Sequence, residues 1–145
     1  MQLDILNKEL VEKVEPTFDI SFDDIYSGYF ELFKDFDIDN INIVFVKSEY
    51  IHNLNMKYRG IDAPTDVLSF EISDIKKGGE IYISPEYVYE NFKNEEFEEE
   101  ILRLIIHGTL HILGYDHSDS MDESLGEEIF KIQEELLLKY KKICS

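Results

Sequence analysis

The stretch Asn40-Ile-Asn-Ile-Val-Phe-Val-Lys47 decides how the chain is read. It alternates at period two, the pattern of a half-buried strand, and it is the clearest strand in the sequence. Residues 66–72 form a second strong strand. After a turn at Lys76-Lys-Gly-Gly79, residues 80–84 supply its hairpin partner, so that pair is expected to be antiparallel. Residues 2–7 alternate well enough for a short strand. Helical patterns fill the rest. Ser21-Phe-Asp-Asp24 reads as a serine cap with an acidic residue three positions on, leading into a helix through Phe33. Ser48 is placed to cap a short helix through Lys57, with Ile51, Leu54 and Tyr58 on one face, and residues 58–64 read as a loop. Pro85 suits the first turn of a helix running to about Phe92. A long apolar helix covers 95–113, and an amphipathic helix over 122–142 closes the chain. The expected class is α+β: one small mixed sheet covered by helices, with no repeat or linker dividing residues 1–145 into more than one domain.

With 43% hydrophobic residues, including ten Phe and nine Tyr, the chain can build a core without disulfides. Its single cysteine, Cys144, fits a reducing cytoplasm. The N-terminus lacks the basic start and apolar stretch of a signal peptide, and no apolar run approaches the ~20 residues needed to span a membrane. A soluble, cytoplasmic protein without a membrane partner is expected. The net charge of −18 argues against general affinity for nucleic acid, which normally rests on clustered Lys and Arg. Much of that charge is local, however. Glu95, Glu96, Glu98, Glu99 and Glu100 crowd the start of the long helix behind a candidate N-cap at Asn94, where carboxylates complement the helix dipole and read as a solvated helix end.

Three of the four histidines fall in His107-Gly-Thr-Leu-His111-Ile-Leu-Gly114-Tyr-Asp-His117. On a helix, His107 and His111 stand at i and i+4, about 6 Å apart at Cβ. Gly114 can end that helix in a left-handed cap and turn the chain so that His117 returns toward the same point. A buried, hydrogen-bonded core histidine is the plain alternative for any one of them. Three together, with a glycine placed to fold the third back, point to a metal. Zinc is the first candidate, because three protein ligands with an open fourth position is the catalytic pattern. The spacing is close to that of metzincin proteases, but Gly108 stands where those enzymes carry the glutamate base, and one extra residue precedes the last histidine. A standard metalloprotease mechanism is therefore disfavoured.

A second constellation runs from Leu54 to Phe70: Leu-Asn-Met-Lys-Tyr-Arg-Gly-Ile-Asp-Ala-Pro-Thr-Asp-Val-Leu-Ser-Phe. Asp66 and Ser69 sit where a strand would more cheaply carry apolar residues. Thr65 and Asp66 can tie down a loop through side-chain to backbone bonds, with Pro64 stiffening it. Arg59 is harder to explain structurally, because a guanidinium suits bidentate contact with phosphate. His52, the isolated fourth histidine, reads as surface decoration.

Together these segments resemble the YbeY family of bacterial ribosomal-RNA maturation factors, also described as endoribonucleases. Its members carry a segment like NxxYRxxDxPTDVLSF, here Asn55 to Phe70, and later HGxLHLxGYDH, here His107 to His117. The stretch Gly79-Glu-Ile-Tyr-Ile-Ser84 is similar to the family's GDIxIS. Glu71 stands where a proline commonly follows the Ser-Phe pair, and Glu80 replaces an aspartate, departures that bear only on local strand geometry. The resemblance covers roughly Asn40 to the C-terminus and implies a mixed four-stranded sheet with the metal at the base of a cleft. It implies zinc on His107, His111 and His117, and Arg59 as the residue most needed for activity. The implied substrate is single-stranded RNA, including the 3′ end of small-subunit ribosomal RNA, with small-subunit proteins and an assembly GTPase as partners. Substrate would meet a cleft bearing Lys57, Arg59, Asp66 and Ser69, with Lys76 and Lys77 nearby. Asp116 could orient a ligand histidine or transfer a proton. Two rival readings stand beside this one: a non-catalytic, metal-stabilised ribosome-assembly factor, and a metal-dependent hydrolase of peptides or small molecules.

Overall fold

The computed structural model describes residues 1–17, 21–72, 77–115 and 123–144. Four strands, β1 (Gln2–Leu6), β2 (Asn40–Phe45), β3 (Val67–Glu71) and β4 (Gly79–Ile83), form a sheet in the order β1-β2-β4-β3. The first three are parallel, and β3 runs antiparallel to β4 as an edge strand, as the hairpin pattern predicts. Six helices accompany them: α1 (Glu9–Val14), α2 (Phe22–Phe33), α3 (Ser48–Arg59), α4 (Pro85–Asn91), α5 (Glu95–Ile112) and α6 (Glu123–Ile143). The α+β class with a four-stranded mixed sheet therefore holds. The register explains the alternation read in the sequence. Ile5, Ile43, Ile81 and Ser69 lie opposite one another across the four strands, so one face of the sheet carries a row of isoleucines that ends, at the edge strand, in a serine.

That face packs against α5, whose Ile101, Leu102, Ile105, Leu110 and Ile112 are buried in the main core with Phe33, Phe45 and Phe97. The opposite face holds a smaller cluster of Val44, Val46, Ile51 and Leu68 beneath α3. At Gly108, α5 lies directly against the sheet. A Cβ there would lie 2.7 Å from Cγ2 of Ile81 and 2.9 Å from Oγ of Ser69. The small pair Gly108 and Ser69 thus lets α5 settle onto the edge of the sheet. Thr109 is fully buried beside it, donating from Oγ1 to the Ile105 carbonyl at 2.8 Å and contacting the Tyr29 hydroxyl at 2.9 Å. Beyond Leu113 the helix ends as expected at Gly114, with φ +106°. The Gly114 N–H donates to the His111 carbonyl and the Tyr115 N–H to that of Leu110, both at 3.0 Å, the paired bonds of a Schellman cap.

Several expectations need correction. α1 gave no usable pattern, because its six residues bury only Val11. Ser48 is the first residue of α3 and not its cap: its N–H is taken by Glu86 of α4 at 3.0 Å, while its hydroxyl lies 3.2 Å from that of Ser84. α3 continues through Tyr58 and Arg59 and stops at left-handed Gly60, so the loop begins two residues later than expected. Its buried face is Ile51 and Asn55, whereas Tyr58 is 57% exposed and sets its ring edge-on to Phe70 at 5.1 Å. Asn94 precedes α5 with φ 57° and makes no side-chain capping bond, although Ser21 does cap α2 through the Asp24 N–H at 3.0 Å. No helix among the described residues is long and apolar enough to cross a membrane.

Adding one methyl group at Gly108 is expected to push α5 off Ile81 and destabilise the protein by about 1–3 kcal/mol, the usual cost of overpacking a filled core. Urea unfolding of Gly108→Ala measures this, and an unchanged midpoint would mean that the helix does not lie this close.

Candidate functional site

Because Gly108 faces the sheet, its neighbours on α5 at one residue before and three after stand at the sheet's edge. These are His107 and His111. Both are half-buried, with ring centroids 5.1 Å apart and planes tilted by 54°. They form one wall of a cleft of about 270 Å³ whose remaining lining is Arg59, Thr65, Asp66, Val67, Leu68 and Ser69. The structure thus brings five of the residues singled out from the sequence, Arg59, Asp66, Ser69, His107 and His111, around one small space. A larger hollow of about 600 Å³ lies on the other side of the sheet, lined by Leu6, Leu10, Val44, Tyr50 and Tyr82 among others, and holds none of them.

The wall opposite the histidines is shaped by short polar bonds. α3 delivers Arg59 at its last position, and Gly60, with φ +69°, turns the chain away. Asn55, only 2% exposed, donates from Nδ2 to the Ala63 carbonyl at 2.9 Å, while its Oδ1 is buried without a hydrogen-bond partner among the described residues. His52 is more than decoration, since its Nε2 lies 2.7 Å from Asp62 Oδ1 and clasps the loop to α3. Asp66 Oδ1 accepts from the Val67 N–H at 2.8 Å and from Thr65 Oγ1 at 3.3 Å, so one of its oxygens holds the start of β3. Lys57 is exposed on the last turn of α3, its ammonium 5.1 Å from the Tyr58 ring centre, and is not among the residues lining the cleft. Lys77 pairs with Glu71 at 3.1 Å. Lys76, Asp116 and His117 lie outside the described residues. Among those that are described, no three His, Cys, Asp or Glu side chains gather as a metal-holding group.

Behind the histidines stands α6. Nδ1 of His107 lies 2.7 Å from Oε1 of Gln133, a side chain buried to 3% exposure. One helical turn before His107, Arg103 bonds both carboxylate oxygens of Glu134, with its Nε 3.0 Å from Oε2, and reaches Glu100 at 2.7 Å and Glu99 at 3.0 Å. Lys141 adds a further contact to Glu99 at 3.2 Å. The acidic start of α5 is therefore not merely a solvated end, because Glu99 and Glu100 are spent on Arg103. The hydrogen bond from Arg103 holds the Glu134 carboxyl below the usual carboxylate range, and the same contact pushes the guanidinium pKa up. Sequence reading missed both Arg103 and Gln133. Arg103 is one of only two arginines and sits four residues before His107, a signal that was present. Gln133 carries none, since only the docking of α6 places it.

A carboxylate with a depressed pKa stabilises the fold above its unfolded pKa and loses that contribution as pH falls through its folded value. Wild-type protein is therefore expected to lose stability on acidification below about 4.5, the ordinary value for glutamate. Glu134→Gln should be weaker at neutral pH by about 0.5–1 kcal/mol, with the gap closing in acid. Urea midpoints across that range decide it, and parallel curves for the two proteins would contradict the pairing.

Residues 4–141 match the protein family described as Endoribonuclease YbeY. An Endoribonuclease YbeY of Treponema denticola is 43% identical over 128 residues, which span 78% of this chain and 79% of that relative. One from Thermotoga neapolitana is 43% identical over 96 residues, covering 65% of this chain and 62% of the relative, less than two thirds of its length. The solution structure of a Thermotoga maritima protein shares the fold with a TM-score of 0.65 at 31% identity, covering 95% of this chain and 88% of that one.

Proposed function

The chain belongs to the YbeY family, and from that premise we propose that it is a zinc-dependent endoribonuclease acting on single-stranded RNA in the cytoplasm. Its substrate would be ribosomal RNA, with processing of the small-subunit 3′ end and ribosome quality control as its tasks. Small-subunit proteins and an assembly GTPase are the proposed partners. The observation that carries this reading is the cleft itself, where two imidazoles from one helical turn face a segment bearing an arginine and two hydroxyls.

The donor set fits a transition metal of the zinc type. Two imidazoles stand one turn apart on a rigid helix, and one of them is braced from behind by a buried amide, as metal-bound histidines commonly are. His107 and His111 would hold the ion together with His117, which follows the left-handed turn at Gly114. The chemistry such an ion supplies when bound is a water acidified toward about pH 7 or a polarised phosphoryl oxygen. The protein's own groups do the rest. Arg59 stands at the cleft mouth, exposed, with a fork that can take two phosphate oxygens and stabilise charge building there in the transition state. The hydroxyls of Thr65 and Ser69 line the floor and can orient the backbone of a bound strand. Asp66 stiffens the turn into β3, so it positions its neighbours more than it contacts substrate. Lys57 lies outside this lining and would act on strand that extends beyond the cleft. Gly108 faces Ile81, which explains why no glutamate base stands at that position and why peptide hydrolysis is disfavoured.

A net charge of −18 means that affinity for naked RNA should be weak and salt-sensitive, with ribosomal partners contributing the remainder. The test uses labelled RNA carrying the small-subunit 3′ precursor, free and within ribosomal particles, with metal-quantified protein. Wild type is expected to cleave. Arg59→Ala should lose about 10²–10³-fold in rate while retaining fold and metal, and His111→Ala should lose both metal and cleavage. Equal cleavage by all three would remove the assignment, and absence of cleavage in either setting with metal bound would favour the non-catalytic assembly factor.

A further inference from the structure

Gln133 is a buried side chain of α6, and its two ends point at different kinds of group. Nε2 lies 3.3 Å from Oε2 of Glu134, and Oε1 lies 2.7 Å from Nδ1 of His107. Glu134 is held by Arg103 through both of its oxygens, so it is ionised and can only accept. The amide nitrogen must therefore face Glu134, which leaves the amide oxygen facing the imidazole. An amide oxygen also only accepts, so Nδ1 of His107 has to be the protonated nitrogen. In a neutral ring the lone pair then belongs to Nε2. Arg103, Glu134, Gln133 and His107 form a relay in which each donor and acceptor role follows from the one before, and it begins at an arginine that cannot deprotonate.

We propose that Gln133 is the positioning residue for His107: it fixes the ring direction and the Nδ1–H tautomer, so that Nε2 is the nitrogen offered to the metal. The inference rests on the metal-site reading given above and goes beyond it by assigning the residue that prepares one ligand. It also gives α6 a task. None of its described side chains lines the cleft, yet through Gln133 and Glu134 it grips two successive turns of α5, at His107 and at Arg103. A lone imidazole in water favours the other tautomer slightly and turns about its Cβ–Cγ bond. A buried acceptor at 2.7 Å removes both freedoms before any ligand arrives.

The experiment compares wild type and Gln133→Leu as full-length protein. Leucine keeps the bulk and removes the acceptor. Two readouts are taken: the His107 tautomer in metal-free protein, from nitrogen–proton correlations of the ring, and the zinc dissociation constant, from competition with a chromophoric chelator. Wild type should show His107 protonated at Nδ1. Gln133→Leu should lose that preference and bind zinc 10–100-fold more weakly, with its helical circular dichroism unchanged. Wild-type His107 protonated at Nε2 would overturn the proposal without any variant, so the claim stays testable should Gln133→Leu fail to fold. Equal zinc affinity in wild type and folded Gln133→Leu would overturn it as well. Wild type that binds no zinc but shows the expected tautomer would instead sink the metal reading while upholding the role of Gln133 in orienting the ring.

Discussion

The approach of α5 to the sheet at Gly108 is the constraint on which the site depends. A hydrogen in place of a side chain lets the helix rest on Ile81 and Ser69, and the closeness of that contact sets how far the neighbouring residues project past the edge strand. His107 and His111 reach the cleft because they flank this point on the helix. Ser69 reaches it because it is the small, polar end of a row that is otherwise isoleucine. A larger residue at 108 or at 69 would lift the helix and open the cleft together. Packing and chemistry are thus tied at one position.

The two walls of the cleft are made rigid in different ways. On the histidine side the rigidity is helical and electrostatic: the Schellman cap at Gly114 ends α5, and the Arg103 network with Glu99, Glu100 and Glu134 locks it to α6. Exposed ion pairs contribute little one at a time, but here a single guanidinium serves three carboxylates and its geometry fixes the next residue in line, Gln133. On the Arg59 side the rigidity is local hydrogen bonding, with Asn55, His52 and Asp66 each holding part of the 60–67 turn. The arginine head itself stays exposed, as a group that must reach out to a large anionic substrate should be.

Much of this was legible in the sequence because it rests on periodicity. The alternation of β2, the hairpin of β3 with β4, and the apolar helix ending at Gly114 all follow from patterns local to the chain. What was not legible depends on tertiary contact. Ser48 looks like a cap until Glu86 of another helix takes the position, and Glu99 and Glu100 look solvated until Arg103 turns back to them. Arg59 reads as loop from the local pattern, although Gly60, one residue on, carries the stop signal of a left-handed cap. α1 is too short for any period to show. Gln133 could be found only once α6 was seen against α5.

The most direct test of the central claim, that this cleft is built around a metal on imidazole ligands, is X-ray absorption at the zinc edge of protein loaded with one equivalent of zinc. The account predicts three histidine nitrogens at about 2.0–2.1 Å and one further light atom. A coordination shell lacking imidazole scattering, or one containing sulfur, would contradict it.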